Sequence, residues 1–510
     1  DVTSGRLYAM AGDAAAARQL LRTAASRRSR GPAPERAAAQ LAMALVHEST
    51  GHRDAARRAV TDGLRTLLDN PATLGAIELR AHAIAHGNAL AEVGARLAVA
   101  DRRPRELLSR IEAARGMVAL LPRPAMPDDP ELARLLTELR EINESFRDAV
   151  LGPEDRSQLA HRRSAVETAI RSRARRVRGV GMDTRLDLGD AIGELGDRGL
   201  LEYGLLDGGL WCVSVVRGRA RMHEIGPIAP VLAEIDSVEV ALNRLNRQQS
   251  SERSREAAVD TIRAAGRGLE ELLVPSRVLD GAEPVVIVPT GRLHGLAWRA
   301  LPAFAERSVS VSPSLFGWVA SMRDGQRPIG TPVTLLVAGP QLAAAPAEVA
   351  ALAEVHRHAV LLDTASSTAA ACIEAMASAT LAHFACHGAF RTDNPLFSSL
   401  RVADGELNLY DLEQCPTLPR TVVLSACNAA ASTELRGGAL LGMSNALMSL
   451  GVASVIAPLT PVNDERSVEV MVRLHTKLAA GVPPGEALAM AAVVDGDLDP
   501  TAAAFVAIGA

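Results

Sequence analysis

Two short apolar segments in the last third of the chain each end in a side chain that can do chemistry. Residues 381–388 read Leu-Ala-His-Phe-Ala-Cys-His-Gly, and residues 421–428 read Thr-Val-Val-Leu-Ser-Ala-Cys-Asn. Buried strands of a parallel sheet are near-continuous apolar runs, and ligands bind beyond their carboxyl ends. If these two strands are neighbours, His387 can take the proton of Cys427, and the resulting thiolate can attack an acyl carbon. The pattern predicts the chemistry of a cysteine protease.

The 40-residue separation of His387 and Cys427 leaves room for a connection between neighbouring strands. A hairpin at Asp404-Gly405 and a helix from Tyr410 would make it a crossover. His387 would act as general base toward the thiol and then as general acid toward the leaving amine. Gly388 has no side chain to block a substrate, and its N–H, with that of Cys427, would stabilise a tetrahedral oxyanion.

These residues also have simpler interpretations. Free cysteines are usually interior, so Cys427 alone would be a small buried residue at the end of a strand. The nearby His387 favours the catalytic interpretation. A zinc site of His383 with His387 or Cys386 is a rival hypothesis, but on a strand four positions at about 3.3 Å each set the histidines about 13 Å apart. We therefore expect no metal and no cofactor.

Composition indicates a large multidomain chain. Its 510 residues are 48% hydrophobic, which suggests roughly three domains at about 100 to 200 residues each. The net charge is −4, and Lys477 is the single lysine beside many arginines, a bias that does not indicate nucleic-acid binding. No apolar run reaches the ~18 residues of a membrane helix, and the first residues lack a secretion signal. The five cysteines have no paired spacing, which favours a reducing cytoplasm.

Residues 1–150 are rich in alanine, leucine and arginine at helical spacing. Segments 7–14 and 43–56 resemble each other, and each reads as helix, glycine turn, helix. They indicate degenerate tetratricopeptide-like hairpins, with an ordinary helical bundle as the alternative. Residues 151–190 read as a helical linker. Their arginine-rich stretch 171–178 has acidic neighbours and no interleaved aromatic residues, so a solvated helix face explains it better than a nucleic-acid site.

After residue 200 the sequence pattern changes from helical to strand-like. A β-hairpin is predicted at 201–216 around an Asp-Gly-Gly turn, and helices follow over about 230–275. From residue 285 strands and helices alternate to the end, a pattern typical of a parallel-rich sheet with helices on both faces. The expected fold class is an α-helical repeat region followed by an α/β domain of this kind.

The motifs around both reactive residues resemble one protein family. Four ordered segments are similar to the CHAT domain of the caspase, separase and gingipain group: 383–390, 394–400, 424–428 and 454–464. CHAT domains commonly follow tetratricopeptide repeats, which fits the helical first part. The resemblance covers about residues 190–510 and implies a caspase-like fold, with His387 and Cys427 as the catalytic dyad. It implies an inactive, pseudo-caspase-like subdomain at 191–280 and a catalytic subdomain at 281–510.

The resemblance also implies a substrate-binding residue. In separases and many CHAT domains, an aspartate after a similar valine-polar dipeptide lines the primary specificity pocket, and Asp464 follows Val462-Asn463. A buried carboxylate there would favour arginine or lysine before the cut bond. The open alternative is that Asp464 caps the following helix. Cys427 lies in Ser-Ala-Cys-Asn rather than the Gln-Ala-Cys-x-Gly of true caspases, so cleavage after aspartate is not expected.

These features predict a cysteine endopeptidase that cuts a specific protein substrate, and relatives imply a bacterial stress, cell-death or antiviral programme. An activator or adaptor protein would bind the helical repeats, and neither nucleic acid nor a membrane is an expected partner. The competing class is a non-catalytic scaffold in which the fold persists and the repeats assemble complexes. A third hypothesis, an acyltransferase or transpeptidase with the same dyad, would transfer the acyl group to an amine instead of water.

Overall fold

The fold is seen in a computed structural model of the chain. It describes residues 2, 4–5, 8, 11–26, 33–68, 87–120, 129–146, 152–174, 187–245, 251–276, 278–279, 284–326, 332–389, 397–415, 417–425, 433–434, 440–441, 446–448, 450–460, 462 and 464–510.

The first part of the chain is helical, as its alanine- and leucine-rich composition predicts. Asp13 caps the first helix by accepting a hydrogen bond from the Ala16 N–H at 3.0 Å. Gly51 makes the turn between the second and third helices with a left-handed φ of 75°. The helices are α1 (Ala14–Ala25), α2 (Ala33–Ser49), α3 (Arg53–Leu68), α4 (Asn88–Ala100) and α5 (Pro104–Leu120).

The helical region continues into the core of the sheet. Helix α6 (Pro130–Ser145) packs against α7 (Pro153–Ala174). The buried face of α6 has apolar residues at helical spacing: Leu132, Leu135, Leu136, Leu139 and Ile142. They belong to the same hydrophobic cluster as the strands, so this helix and the sheet share one core.

The remaining helices lie between and around the strands. They are α8 (Leu188–Glu194), α9 (Ile228–Leu245), α10 (Glu252–Leu273), α11 (Leu315–Gly325), α12 (Ala345–Val355), α13 (Ala369–Met376), α14 (Leu409–Gln414), α15 (Asp464–Ala479) and α16 (Pro484–Ala492), with 3₁₀ turns at Gly291–Gly295, Trp298–Ala300, Pro302–Phe304 and Ala502–Ala504. No helix in the described ranges combines the length and apolarity needed to cross a bilayer.

Most of the strands are short. In chain order they are β1 (Gly199–Leu206), β2 (Gly209–Val216), β3 (Arg219–Pro227), β4 (Val285–Val288), β5 (Val309–Val311), β6 (Thr334–Ala338), β7 (Val360–Leu362), β8 (Leu381–Ala385), β9 (Gly388–Ala389), β10 (Ser399–Val402), β11 (Gly405–Asn408), β12 (Thr421–Leu424), β13 (Thr433–Glu434), β14 (Leu440–Leu441), β15 (Ser454–Pro458), β16 (Val493–Val494), β17 (Asp497–Leu498) and β18 (Phe505–Gly509).

One sheet joins most of these strands, in the order β3-β2-β1-β4-β5-β18-β15-β12-β8-β6-β7. Neighbours are parallel except at β1–β2, β2–β3 and β15–β18. Because β18 is parallel to β5 but antiparallel to β15, the two parallel halves run in opposite directions. The carboxyl ends of β8 and β12 therefore lie at the opposite edge of the sheet from those of β4 and β5.

Helices cover both faces of the central part of the sheet, which explains why the strands there are apolar on both sides. Along β4, Val285 and Ile287 face the cluster that contains α9 and α10. Val286 and Val288 face a second cluster that contains α5, α8 and α11. The predicted fold class, a helical region followed by a mostly parallel sheet with helices, is confirmed. The predicted hairpin after residue 200 is also confirmed, as β1 and β2.

A small sheet stands beside the main one, between β8 and β12 in the chain. Its order is β11-β10-β9, with β10 antiparallel to both neighbours. The β10–β11 turn falls at the predicted Asp404-Gly405, and α14 follows, starting at Leu409 next to the predicted Tyr410. The connection predicted from the sequence is therefore present.

Candidate active site

Strands β8 and β12 are parallel neighbours, as the sequence predicted. The register pairs Leu424 with Phe384, and the Ser425 N–H donates to the Phe384 carbonyl at 2.9 Å. Both strands are apolar and nearly all buried. Their carboxyl ends therefore meet at one edge of the sheet, where the segments that contain His387 and Cys427 begin.

His387 is an exposed residue two positions beyond the end of β8. Its Nε2 lies 3.0 Å from the carbonyl oxygen of Gln341, in the loop after the neighbouring strand β6. Because a carbonyl only accepts, Nε2 of the neutral ring carries the proton and Nδ1 remains the basic nitrogen. The backbone carbonyl of His387 accepts from the Arg401 N–H at 2.7 Å. Both the ring and the backbone of His387 are thus held.

The Gln341 loop depends on two backbone features. Gln341 has a φ of 61°, in the left-handed region that costs a residue with a Cβ roughly 1–2 kcal/mol. At Gly339 an added Cβ would lie 2.3 Å from Cβ of Cys386 and 2.7 Å from the carbonyl oxygen of Arg401. Only glycine allows this approach, so the loop is packed tightly against the segment that leads to His387.

A cleft of about 320 Å³ opens beside His387, at the lower end of the ~300–1,000 Å³ range of ligand pockets. Gly388, the first residue of β9, pairs with Leu400 of β10 and forms part of the wall. The lining residues come from the Gln341 loop and the small sheet: Gln341, His387, Gly388, Ala389, Ser399, Arg401 and Glu406.

Helix α6 supports the wall of this cleft from outside. The guanidinium of Arg401 donates to the two carboxylate oxygens of Glu144, at 2.5 and 2.9 Å. The Asn143 side chain donates to Glu406 at 2.9 Å. The helical region therefore contacts two cleft residues directly. Sequence reasoning missed these contacts, because the partners are 257 and 263 positions apart and no local pattern marks them.

A third contact fixes the end of the small sheet. Arg140 of α6 donates to the Asp411 carboxylate at 2.8 Å, and Asp411 accepts from the Asn408 N–H at 3.0 Å, which caps α14. Burial raises the pKa of Asp411, and Arg140 opposes that rise. Gly405 lies against the same arginine, since a Cβ there would be 3.2 Å from Cβ of Arg140.

The predicted site residues differ in how far the structure describes them. His387 and Gly388 are adjacent and line the cleft. Cys427 lies outside the described residues, which end two positions before it, at Ser425, and resume at 433. Asp464 is the first residue of α15, and its side chain lies outside the described part.

The other cysteines are poor candidates for a nucleophile. Cys386 stands next to His387 in sequence but is fully buried, and burial raises the pKa of its thiol. Burial also raises the pKa of Cys372, to about 12, and that of Cys212. A buried thiol with a raised pKa supplies little thiolate at neutral pH.

His383 and His387 do not converge. The His383 ring is buried among Glu348 and His475, with Nε2 2.9 Å from Glu348 Oε1 and Nδ1 3.1 Å from His475 Nε2. His387 faces the cleft instead. Within the described ranges, no group of three or more His, Cys, Asp or Glu side chains could hold a metal ion.

A solved structure shares this fold. A chain in the crystal structure of the Saccharomyces cerevisiae separase–securin complex at 2.6 Å is similar with a TM-score of 0.50 and 10% identity, over 90% of this chain and 37% of that one. A second structure of the complex, at 3.0 Å, gives a TM-score of 0.49 and 10% identity, over 93% and 40%. The chain thus spans well under half of these matched chains, and at this identity the first likeness shows the fold alone.

The sequence comparisons match a shorter part of the chain than the structural ones do. No curated protein matches the chain. The family model of the CHAT domain matches residues 263–496, a shorter stretch than the 190–510 predicted from the motifs. The resemblance predicted from those motifs is confirmed: residues 263–496 match the CHAT domain, on a fold similar to that of the separase chain in the 2.6 Å structure.

Proposed function

We propose that the chain is a cysteine endopeptidase in which His387 and Cys427 form the catalytic dyad. The observation that carries this proposal is the exposed His387 at the rim of a cleft, at the carboxyl edge of two parallel neighbours. His387 and Cys427 each lie three positions beyond the registered pair Phe384–Leu424. A continued register would therefore set the imidazole opposite the thiol.

The proposed reaction uses two groups in turn. Nδ1 of His387 takes the proton of Cys427, and the thiolate forms a bond with the carbonyl carbon of the scissile peptide. The N–H groups of Gly388 and Cys427 donate to the oxyanion, an interaction typically worth about 2.7 to 4 kcal/mol. The imidazolium then protonates the leaving amine as the C–N bond breaks. A water, deprotonated by His387, hydrolyses the thioester and regenerates Cys427.

We place the recognition of the substrate at Asp464, which would pair with arginine or lysine before the cut bond. The substrate is a specific protein, cut in a bacterial stress, cell-death or antiviral programme in the cytoplasm. That compartment fits the chemistry, since a nucleophilic thiol must stay reduced. A helix-capping role for Asp464 is the alternative, and its substitution separates the two, as predicted below.

A protein partner of the helical repeats would control the activity. Two contacts support this: Arg401–Glu144 and Glu406–Asn143 link helix α6 to the cleft wall. A movement of α6 would therefore displace Arg401 and Glu406, which line the cleft. Separase, in the 2.6 Å structure that shares this fold, is itself in complex with a protein, securin.

The test is hydrolysis of a fluorogenic peptide library by the full chain, by Cys427→Ala and by Cys386→Ala, with and without lysate of the host. Hydrolysis that is lost in Cys427→Ala but kept in Cys386→Ala supports the protease. No hydrolysis under any condition, together with an unreactive Cys427, would favour the non-catalytic scaffold. Product with an added amine would favour the transferase.

A further inference from the structure

Four buried or half-buried side chains form a continuous polar chain beneath the candidate site. His356 Nε2 lies 3.0 Å from His475 Nδ1, His475 Nε2 lies 3.1 Å from His383 Nδ1, and His383 Nε2 lies 2.9 Å from Glu348 Oε1. These four residues, Glu348, His383, His475 and His356, are here called the imidazole network. The Ser425 hydroxyl extends it, with Oγ 3.4 Å from Glu348 Oε2.

The imidazole network connects the elements that lead to the proposed site residues. His383 is on β8, which ends before His387, and Ser425 follows β12, two residues before Cys427. His475 is on α15, the helix that begins at Asp464. Glu348 is on α12, which packs against both α15 and β8.

The network is deeply buried, so its polar atoms depend on one another. Glu348 is 1% exposed, and His383 and His475 are 0% exposed. Within the described part of the chain, Glu348 Oε1 and His383 Nε2 make no hydrogen bond, and the only polar contact of either atom is the 2.9 Å ion-pair contact between them. A buried polar group that loses its partner is destabilising, because it gave up its hydration and keeps no compensating contact. Breaking the network at Glu348 would therefore affect every element that it joins.

One proton arrangement is compatible with all the contacts of the imidazole network. Each ring carries its proton on Nε2 and directs it to the next member of the network on the side of Glu348. Each Nδ1 accepts from the neighbour on the opposite side. At the outer end, His356 Nδ1 accepts from the Thr334 hydroxyl, 3.3 Å away. Burial, followed by the neighbouring His383 and His356, lowers the pKa of His475 well below its usual range. Burial also lowers the pKa of His356, so both rings are neutral at pH 7.

We propose that Glu348, acting through the imidazole network, is a positioning residue that fixes β8, β12 and α15 relative to one another at the active site. This inference rests on the proposed function. Glu348 touches no substrate; it sets the distance between the dyad residues by holding the strands that lead to them. A shift of about 1 Å in such a geometry can cost on the order of 100-fold in rate.

The kinetic test compares the full chain with Glu348→Gln, Ser425→Ala and the double variant, on a peptide cleaved by the wild type. Glu348→Gln should lower kcat by roughly 10- to 100-fold and leave KM within about twofold. Because Ser425 acts through Glu348, the double variant should be no worse than Glu348→Gln alone, within about threefold. Ser214→Ala is the control: it removes a buried hydroxyl that bonds His223 at 2.9 Å, on the far half of the sheet, and should leave kcat unchanged.

A spectroscopic test needs neither substrate nor variants. Nitrogen-15 NMR of the imidazoles at pH 7.5 should find His475 and His356 neutral, with a proton on Nε2 of each of the three rings. A charged His475 or His356, or any of the three without a proton on Nε2, would overturn the proton arrangement. Unchanged kcat in Glu348→Gln, or losses that multiply in the double variant, would overturn the positioning role. A wild-type chain without hydrolysis would instead overturn the proposed function, while the NMR result would still decide the network.

Discussion

Glu144 of helix α6 accepts two hydrogen bonds from the guanidinium of Arg401, at 2.5 and 2.9 Å. The Arg401 side chain is 9% exposed and that of Glu144 is 52% exposed. The Arg401 N–H also holds the carbonyl of His387 at 2.7 Å. One residue of the small sheet thus links the helical region to the candidate catalytic histidine.

Removal of this link should weaken the site. In Glu144→Ala the nearly buried guanidinium of Arg401 loses a carboxylate partner, which should lower the free energy of unfolding by about 1–3 kcal/mol. The substitution should also lower kcat, because Arg401, whose N–H holds the carbonyl of His387, would be less firmly positioned. Urea unfolding and peptide hydrolysis measure both effects. Glu141→Ala, an exposed change on the same helix, is the matched control. Equal activity of the two variants would argue against the link.

The loop that holds the His387 ring should be sensitive to its backbone. Gln341 has a φ of 61°, so Gln341→Gly should be tolerated, whereas the β-branched Gln341→Val should be less stable than Gln341→Gly by roughly 1–2 kcal/mol. Since the Gln341 carbonyl contacts Nε2 of His387, the valine variant should also have the lower kcat. Thermal unfolding and hydrolysis compare the pair. Equal kcat values would contradict a role of this carbonyl in orienting the histidine.

Asp464 can be tested against its capping alternative. If its carboxylate binds a basic side chain, Asp464→Ala should lower kcat/KM for arginine substrates by about 10- to 100-fold, the equivalent of a charged hydrogen bond of 1.5–3 kcal/mol. Thermal stability should change little. A drop in stability with an unaltered preference for arginine would show that the residue only caps α15.

The buried carboxyl pair Glu112 and Glu202 should make stability depend on pH. Burial is the main cause that raises the pKa of each, and the neighbouring Glu112 further raises that of Glu202. In the folded chain these two carboxyl groups therefore keep protons at pH values where they would be released from the unfolded chain, in which a glutamate has its ordinary pKa of about 4.5. This contribution to stability is full below that pH and falls as pH rises toward the folded pKa, by about 1.4 kcal/mol per pH unit for each such proton.

Glu202→Gln should therefore flatten the change in unfolding free energy between pH 5 and pH 8. Urea unfolding at both pH values measures it. Glu194→Gln, an exposed partner of Arg323, serves as the control and should keep the slope of the wild type. A Glu202→Gln variant with that same slope would contradict the raised pKa.

Much of the fold could be predicted because it follows from local patterns. The apolar runs of β8 and β12 predict buried parallel strands, and the Asp-Gly turn and following helix predict their connection. The position of β18 could not be predicted in this way. It pairs antiparallel with β15 and parallel with β5, which depends on how the two halves of the sheet meet.

The candidate site was predictable only in part. His387 and Gly388 follow a recognisable strand, so the sequence identifies them. The contacts of Arg401 with Glu144 and of His383 with Glu348 join side chains that are distant in sequence, and neither partner carries a local signature. Such contacts arise from the packing of whole elements, so only the folded chain reveals them.

The most direct test of the proposed dyad is covalent labelling of Cys427 by a peptidyl electrophile that ends in arginine, with the modified residue identified by mass spectrometry. We predict stoichiometric labelling of Cys427 in the wild-type chain and a rate reduced by at least roughly 100-fold in His387→Ala, since the base that forms the thiolate is lost. Labelling of Cys427 at the same rate without His387, or labelling only of other cysteines, would contradict the account.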